Sequence, residues 1–191
     1  IRLVIARGQL MQGMEPGSML AINATVTEIS DIVTAHDCEI AVLNSPEDVV
    51  ASGSSANITA LAAALAEKDI VTITLRTSHA YHSRMMEAAS QAFEKVLGTI
   101  TIHKPKKPFI SNVTGLLATT EVQSPEYWSR QLRDRVDFTG GIATLNKQYH
   151  QAVSFIEVGP GKSLSYFVKK HQKSNQSKQL STLQLLGSAK D

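Results

Sequence analysis

MLAINATVTEISDIVTAHDCEIAVLNSPEDVVASGSSANITALAAALAEKDIVTITL, residues 19–75, alternates short apolar runs with helical periods, and its order decides the fold. Met19–Val26, Glu39–Leu43, Asp48–Ser52 and Ile70–Leu75 carry the apolar and β-branched composition of strands. Thr27 stands where it would cap a helix from Glu28 to Thr34. Ser54 or Ser55 caps a second helix running to Lys68. Its Ile58, Leu61, Ala62 and Leu65 fall at i, i+3, i+4 and i+7, one helical face. The order βαββαβ predicts a ferredoxin-like unit, four strands with two helices on one face.

On the N-terminal side, residues 1–12 read as the end of a helix, closed by Gly13 and the Met14-Glu15-Pro16-Gly17 turn. Ile1 has no cap or turn before it, so the chain reads as a piece of a larger polypeptide. Downstream, the pattern predicts a helix from Met86 to Leu97, a short strand at Thr99–His103, and a buried strand at Phe109–Val113. Ser124-Pro125 opens a helix with Pro at its first position. A helix over Phe138–Tyr149, a strand over Val153–Val158, and a Gly159-Pro160-Gly161 turn into a helix over Lys162–Lys170 follow. From His171 onward the composition is that of a linker or tail, with one apolar patch at Leu183–Leu186.

At 191 residues, 42% hydrophobic and 19% charged, the chain has the composition of a soluble globular protein and not of a disordered one. The net charge of +2 is too mild to argue for nucleic acid. The basic clusters Lys104-Pro105-Lys106-Lys107 and Lys169, Lys170, Lys173, Lys178 lack interleaved aromatics and read as a solvated loop and a tail. A single cysteine, Cys38, excludes an intrachain disulfide and suits a reducing compartment. No apolar run reaches the ~18 residues of a membrane span, and the first residues lack the form of a signal peptide. Cytoplasm is the expected location.

Between strand Ile70–Leu75 and helix Met86–Leu97 lies Thr77-Ser78-His79-Ala80-Tyr81-His82-Ser83-Arg84. A strand-to-helix junction can present a side chain to a cleft while the backbone stays anchored on both sides. Histidine titrates near neutrality and is the natural general base there. Two loop histidines are equally at home as hydrogen-bonded structural residues, and residue type alone leaves both readings open. His79-x-x-His82 has a metal-ligand spacing, but no cysteine pair, third histidine or HExxH helix accompanies it, so no metal is expected.

Seven motifs in register carry a resemblance. Ala6-Arg7-Gly8-Gln9-Leu10-Met11-Gln12, Gly17-Ser18-Met19-Leu20-Ala21, Asn44-Ser45-Pro46 with Val49–Gly53, and Ser78-His79-Ala80-Tyr81-His82-Ser83 come first. Phe109–Gly115, Tyr127-Trp128 with Gln131-Leu132-Arg133, and Glu157-Val158-Gly159-Pro160-Gly161 complete the set. On these the chain resembles the C-terminal part of a malonyl-CoA:acyl-carrier-protein transacylase, most of all a polyketide synthase acyltransferase domain.

The resemblance implies an α/β-hydrolase-like large subdomain with an inserted ferredoxin-like small subdomain. The segments would be 1–16 (large), 17–77 (small), 78–171 (large, continued) and 172–191 (linker or tail). It implies ping-pong transfer of malonyl from malonyl-CoA, through a serine ester, to the phosphopantetheine thiol of an acyl carrier protein, with no permanently bound cofactor. His82 takes the position of the catalytic base and His79 that of a pocket wall. A backbone carbonyl near Asn112 would hold the imidazole, accepting its Nδ1 proton.

Arg7 takes the position of the carboxylate grip, with Met11 one turn on. A planar guanidinium can pair both oxygens of a carboxylate. Tyr81 takes the position where malonyl-selective members carry a bulky aromatic, which would fill the room of an α-methyl. In that family the nucleophile lies in a Gly-His-Ser-x-Gly elbow upstream of the arginine, and here only Ile1–Ala6 precede Arg7. Ser52 lacks the elbow's strand-turn-helix context. The chain alone is expected to be inactive, completed by the upstream half of its own domain. Two other roles fit the residues: a non-catalytic docking module for a carrier protein or neighbouring domains, and an acyl hydrolase that needs no Arg7.

Overall fold

The computed structural model describes residues 1–149, 153–159, 161–173 and 181–184. Its centre is a five-stranded sheet in the order β4-β1-β3-β2-β5. The strands are β1 (Ser18–Asn23), β2 (Glu39–Ser45), β3 (Asp48–Gly53), β4 (Thr72–Thr74) and β5 (Val136–Asp137). β1 pairs antiparallel with β3 and β4, and β2 antiparallel with β3. β5 joins β2 in parallel from far along the chain. Helices α2 (Val26–Ala35) and α3 (Ser55–Ala66) connect β1 to β2 and β3 to β4.

The alternation read from residues 19–75 is present, with shifted edges. The first strand stops at Asn23, and the cap is Thr25, not Thr27. Thr25 and Glu28 form a capping box, with the Thr25 N–H donating to Glu28 Oε2 at 2.7 Å. β4 is shorter than Ile70–Leu75: Thr72–Thr74 form its ladder with β1, flanked by the Asn23 N–H to the Val71 carbonyl at 3.0 Å and the Leu75 N–H to the Met19 carbonyl at 2.9 Å. Ser54 caps α3, accepting the Asn57 N–H at 3.2 Å. Leu20, Ile22, Ile29, Val33, Leu61 and Leu65 close a core between this sheet and its helices.

A second core lies under α1 (Arg2–Gln12), α4 (Glu87–Leu97) and α5 (Pro125–Arg133), around Met86, Phe93, Leu97 and Leu132. Ser124 caps α5 as expected, accepting the Tyr127 N–H at 3.2 Å, with Pro125 in its first turn. α6 (Phe138–Gln148), β6 (Ser154–Glu157) and α7 (Ser163–Lys173) follow, and β6 pairs in parallel with β7 (Ser181–Gln184).

Three expectations fail here. Thr99–His103 is not a strand, and Phe109–Val113 contributes only an isolated bridge, Ile110 to Leu117. An apolar run becomes a strand only where a partner edge offers a continued ladder. Phe109–Ser111 meets only Leu116–Ala118, through the Ser111 N–H to the Leu116 carbonyl at 2.8 Å and the Ala118 N–H to the Phe109 carbonyl at 2.9 Å, and Thr99–His103 pairs with no strand among the described residues. The expected tail from His171 is also wrong at its start and in its middle. His171 is buried in α7, its ring Nε2 at 3.2 Å from the Asn44 carbonyl, and 181–184 form β7. The Leu183–Leu186 patch lies partly in β7 and partly outside the described residues, as do residues 150–152 of the junction before β6.

Candidate functional site

The loop between β4 and α4 is pinned to the start of β1. Gly17 donates its N–H to the Ser78 carbonyl at 3.2 Å, and Pro16 forms a bridge with His79. A Cβ on Gly17 would lie 2.7 Å from Cβ of the fully buried Ala80, so the close approach requires glycine. His79 is 3% exposed and both ring nitrogens are engaged. Nδ1 lies 2.8 Å from Ser78 Oγ and Nε2 lies 3.1 Å from the Met14 carbonyl. His79 therefore braces the loop from within.

After the brace the chain turns sharply. His82 has φ +56, the left-handed region that non-glycine residues rarely adopt. Ser83 fixes the next turn, donating from Oγ to the Ala80 carbonyl at 2.7 Å and accepting the Met85 N–H at 3.3 Å. The turn carries the imidazole towards the end of α5, where Nδ1 lies 3.0 Å from the Asp134 carbonyl. A carbonyl only accepts, so the proton sits on Nδ1 and Nε2 presents its lone pair. Among the described residues Nε2 has no hydrogen-bond partner. Burial lowers the imidazole's proton affinity below the ordinary value, the Asp134 hydrogen bond opposes this, and the positive charge of Arg7 lowers it further. The result is a neutral imidazole at neutral pH, able to take a proton at Nε2.

The carbonyl expected near Asn112 is not the one that holds His82. The Asn112 carbonyl accepts the Asp137 N–H at 2.7 Å and is thereby committed to the start of α6. Nothing in residue type distinguishes one main-chain carbonyl from another, so Asp134 had no signal in the sequence.

Arg7 lies on α1, half-buried. Its Nη2 donates to Gln131 Oε1 at 3.4 Å, and its Nε is buried with no partner among the described residues. It joins none of the ion pairs found among the described residues. Burial lowers its proton affinity and the Tyr81 phenol raises it. A partly desolvated guanidinium with no carboxylate beside it is a site for an anionic group. Gln131, quoted above only as part of a motif, is its one side-chain hydrogen-bond partner among the described residues.

Met11 and Tyr81 both pack on the cluster around Met86 and Phe93. Tyr81 also packs on the Met19, Ala41 and Val50 face of the sheet, so its ring bridges the two cores. Its hydroxyl lies 3.4 Å from Ser78 Oγ, and its ring tilts against His79 at a centroid distance of 5.9 Å.

The surroundings of Arg7 and His82 differ. Arg7 lines an apolar groove of about 480 Å³ with Leu3, Val4, Phe93, Ile102 and Trp128. His82 lines a polar cleft of about 470 Å³ between α2, Glu39 of β2 and the segment Arg133–Arg135. The end of α5 serves both, giving Gln131 to Arg7 and leading to the Asp134 carbonyl that meets His82. Among the described residues no group of three or more His, Cys, Asp or Glu is placed to hold a metal ion.

The site thus pairs an imidazole held by a main-chain carbonyl with a half-buried guanidinium that joins no ion pair among the described residues. The chain belongs to the acyl transferase domain family, whose model matches residues 1–191. It is 41% identical over 167 residues to the spectinabilin polyketide synthase system protein NorB of Streptomyces orinoci, covering 85% of this chain and 8% of that protein. It is 37% identical over 164 residues to the phenolphthiocerol synthesis polyketide synthase type I Pks15/1 of Mycobacterium bovis, again 85% of this chain and 8% of that protein.

Among solved structures, the acyltransferase domain from the second module of the salinomycin polyketide synthase superposes with a TM-score of 0.87 at 34% identity. That match covers 99% of this chain and 44% of the other. The malonyl CoA-acyl carrier protein transacylase from Clostridium perfringens gives 0.85 at 28% identity, over 97% of this chain and 59% of the other. The chain thus spans less than two thirds of each relative, and its mixed α/β fold is that of acyltransferase domains.

Proposed function

We propose that residues 1–191 form the base-bearing and carboxylate-gripping part of an acyltransferase domain. The domain transfers malonyl from malonyl-CoA to the phosphopantetheine thiol of an acyl carrier protein in polyketide or fatty acid synthesis. The observation that carries this reading is the His82 Nδ1 to Asp134 carbonyl pairing at 3.0 Å, which leaves Nε2 as the acceptor.

In this reading Nε2 takes the proton of a serine hydroxyl as that oxygen attacks the thioester carbonyl. The imidazolium returns the proton to the departing thiolate of coenzyme A. In the second half-reaction the carrier's thiol gives its proton to Nε2 and its sulfur takes the malonyl group. The proton then goes back to the serine oxygen. Arg7 pairs the free malonyl carboxylate. Tyr81 occupies room that an α-methyl would need, a preference of about 1–3 kcal/mol per methyl.

No Gly-x-Ser-x-Gly sequence occurs within residues 1–191, so the proposal draws the hydroxyl from outside them. The large subdomain is proposed as α/β-hydrolase-like and the small one, 17–77, as ferredoxin-like. The β4-β1-β3-β2 order and the two crossing helices support the latter. A cytoplasmic setting belongs to the same proposal: the substrate is a coenzyme A thioester, and Cys38 is a free, buried thiol that burial raises to about 11. No helix among the described residues is long and apolar enough to cross a membrane.

The test is intact-mass measurement of the complete domain after mixing with malonyl-CoA. His82→Ala should slow formation of the malonyl adduct by about 10²–10⁴-fold. An adduct formed at the unmutated rate removes His82 as the base. The 191-residue chain alone should gain no adduct.

A further inference from the structure

Glu39 opens β2 and belongs by sequence to the small sheet, yet its carboxylate reaches two groups that flank His82. Oε1 accepts the backbone N–H of Arg84 at 2.8 Å, and Oε2 pairs with Arg133 Nη1 at 3.1 Å. Arg84 lies two residues beyond the left-handed turn at His82, and Arg133 immediately precedes Asp134, whose carbonyl receives Nδ1. One carboxylate thus ties together the strained backbone that aims the imidazole and the segment carrying the carbonyl that fixes its tautomer.

Further ion pairs join the same two arginines to α4 and to Asp37. Arg133 Nε reaches Glu87 at 3.2 Å, and Arg84 reaches both the carbonyl and the carboxylate of Asp37. Glu39 and Arg133 are each 28% exposed, and both line the cleft that His82 lines. An exposed ion pair contributes little to stability, so the consequence of this arrangement is geometric.

We infer that Glu39 is a positioning residue for His82. Its carboxylate keeps the Asp134 carbonyl in register with Nδ1, so that the proton stays there and Nε2 stays free. The inference rests on the reading of His82 as the base. Without the tie, the His82 turn and the Arg133-Asp134 segment move independently. Nδ1–H then loses its acceptor part of the time, and the tautomer with the proton on Nε2, which cannot accept one, gains population.

The charged groups around His82 are Arg7, Glu39, Arg133, Asp134 and Arg135. Removing the Glu39 charge and weakening the Asp134 hydrogen bond both favour the neutral imidazole, so the acid limb of the rate profile should move to lower pH. Charge alone could produce that shift, so the tautomer itself must also be read.

The experiment uses the complete acyltransferase domain with ¹⁵N-labelled histidine, comparing Glu39→Ala and Glu39→Gln with the unmutated protein. Glutamine keeps an oxygen for the Arg84 N–H but loses the Arg133 pair. Glu39→Ala should lower the kcat of malonyl loading roughly tenfold with KM for malonyl-CoA unchanged. The His82 ¹⁵N shifts should move towards a mixture of tautomers, and Glu39→Gln should fall between the two.

An unmutated tautomer signature and loading rate in Glu39→Ala, in a domain where His82→Ala abolishes loading, overturns the inference. If Glu39→Ala fails to fold, the same result in Glu39→Gln overturns it. If His82→Ala loads normally, the functional reading falls, while the tautomer shift still decides what Glu39 does to the ring.

Discussion

The core under β1–β4 and the core under α1, α4 and α5 close in different ways. In the first, Leu20, Ile29, Leu61 and Leu65 are fully buried, because the helices that cover the sheet come from the same stretch of chain as its strands. In the second, Met86, Ala89 and Leu132 are equally buried, but within residues 1–191 α1 buries none of its residues and leaves Val4 and Ile5 exposed. β6 likewise alternates exposed with half-buried positions, with Ile156 facing outward. A βαββαβ stretch brings its own partners, whereas helices collected from distant segments each supply one face. The candidate site sits at the junction. Tyr81 packs on the α4 cluster and on the outer face of the sheet, and Glu39 crosses from one region to the other.

Large-to-small substitutions test this contrast most strongly. Leu61→Ala, at a fully buried position, should cost about 2–5 kcal/mol in denaturant unfolding of the complete domain. Val4→Ala, at a position 75% exposed, should change stability by no more than about 0.5 kcal/mol. A cost at Val4 comparable to that at Leu61 would mean that the outer face of α1 is covered in the whole protein, and the contrast would disappear.

A smaller effect is expected where the two regions meet. If Arg7 grips the malonyl carboxylate as proposed, Arg7→Ala should remove charge-assisted hydrogen bonds worth about 1.5–3 kcal/mol, or roughly 10–100-fold in kcat/KM. Loading from acetyl-CoA, which has no second carboxylate, should change much less. Equal losses on both substrates would make Arg7 a structural residue of α1.

Smaller again is the cap of α2, local to the self-closing unit. Thr25→Ala should cost about 1 kcal/mol in the same unfolding measurement. Thr27→Ala, at the second residue of the helix, should cost less. The reverse order would restore Thr27 as the cap.

The same contrast explains what was legible in the sequence. The strands and helices of residues 19–75 could be read because period, caps and turn residues are all local. Even the misplaced cap was an error of two residues between threonines, resolved by Glu28 standing three after Thr25. Thr99–His103 pairs with no strand among the described residues and Phe109–Val113 bridges only to Leu117, and composition cannot report how far a ladder extends. β5, two residues long, exists only because Val136 and Asp137 fall beside Val42 and Leu43.

In the site, His82 and Arg7 were reachable through their motifs. Asp134 was not, since it acts through a main-chain oxygen that every residue possesses. Glu39 was not, because its role depends on Arg84 and Arg133 being brought to it by the fold.

The last prediction concerns acid, and it separates the junction from the core. His82 and His171 are both held below the ordinary imidazole value of 6.5, in each case chiefly by burial, and both stand beside β2 at the boundary of the small sheet. His82 faces the Asp134 carbonyl beside the cleft, and His171 of α7 faces the Asn44 carbonyl of β2. A histidine whose proton affinity falls on folding binds fewer protons folded than unfolded below that value. Its contribution is therefore complete above pH 6.5 and is lost as pH falls from 6.5 towards the lowered native value.

The lowered carboxyls Glu28, Glu121 and Glu157 start from 4.5 and lose their contribution only as pH falls through and below that range. The interval between about pH 5.5 and 6.5 is thus governed by imidazoles. In that interval stability should fall in the unmutated domain and fall less in His82→Gln and in His171→Gln. Hydrogen exchange should quicken first in α7 and around residues 82–84, with the amides of β1 and β3 unchanged. Acid-induced exchange beginning in β1 and β3 would place the weak element inside the small sheet instead of at its boundary.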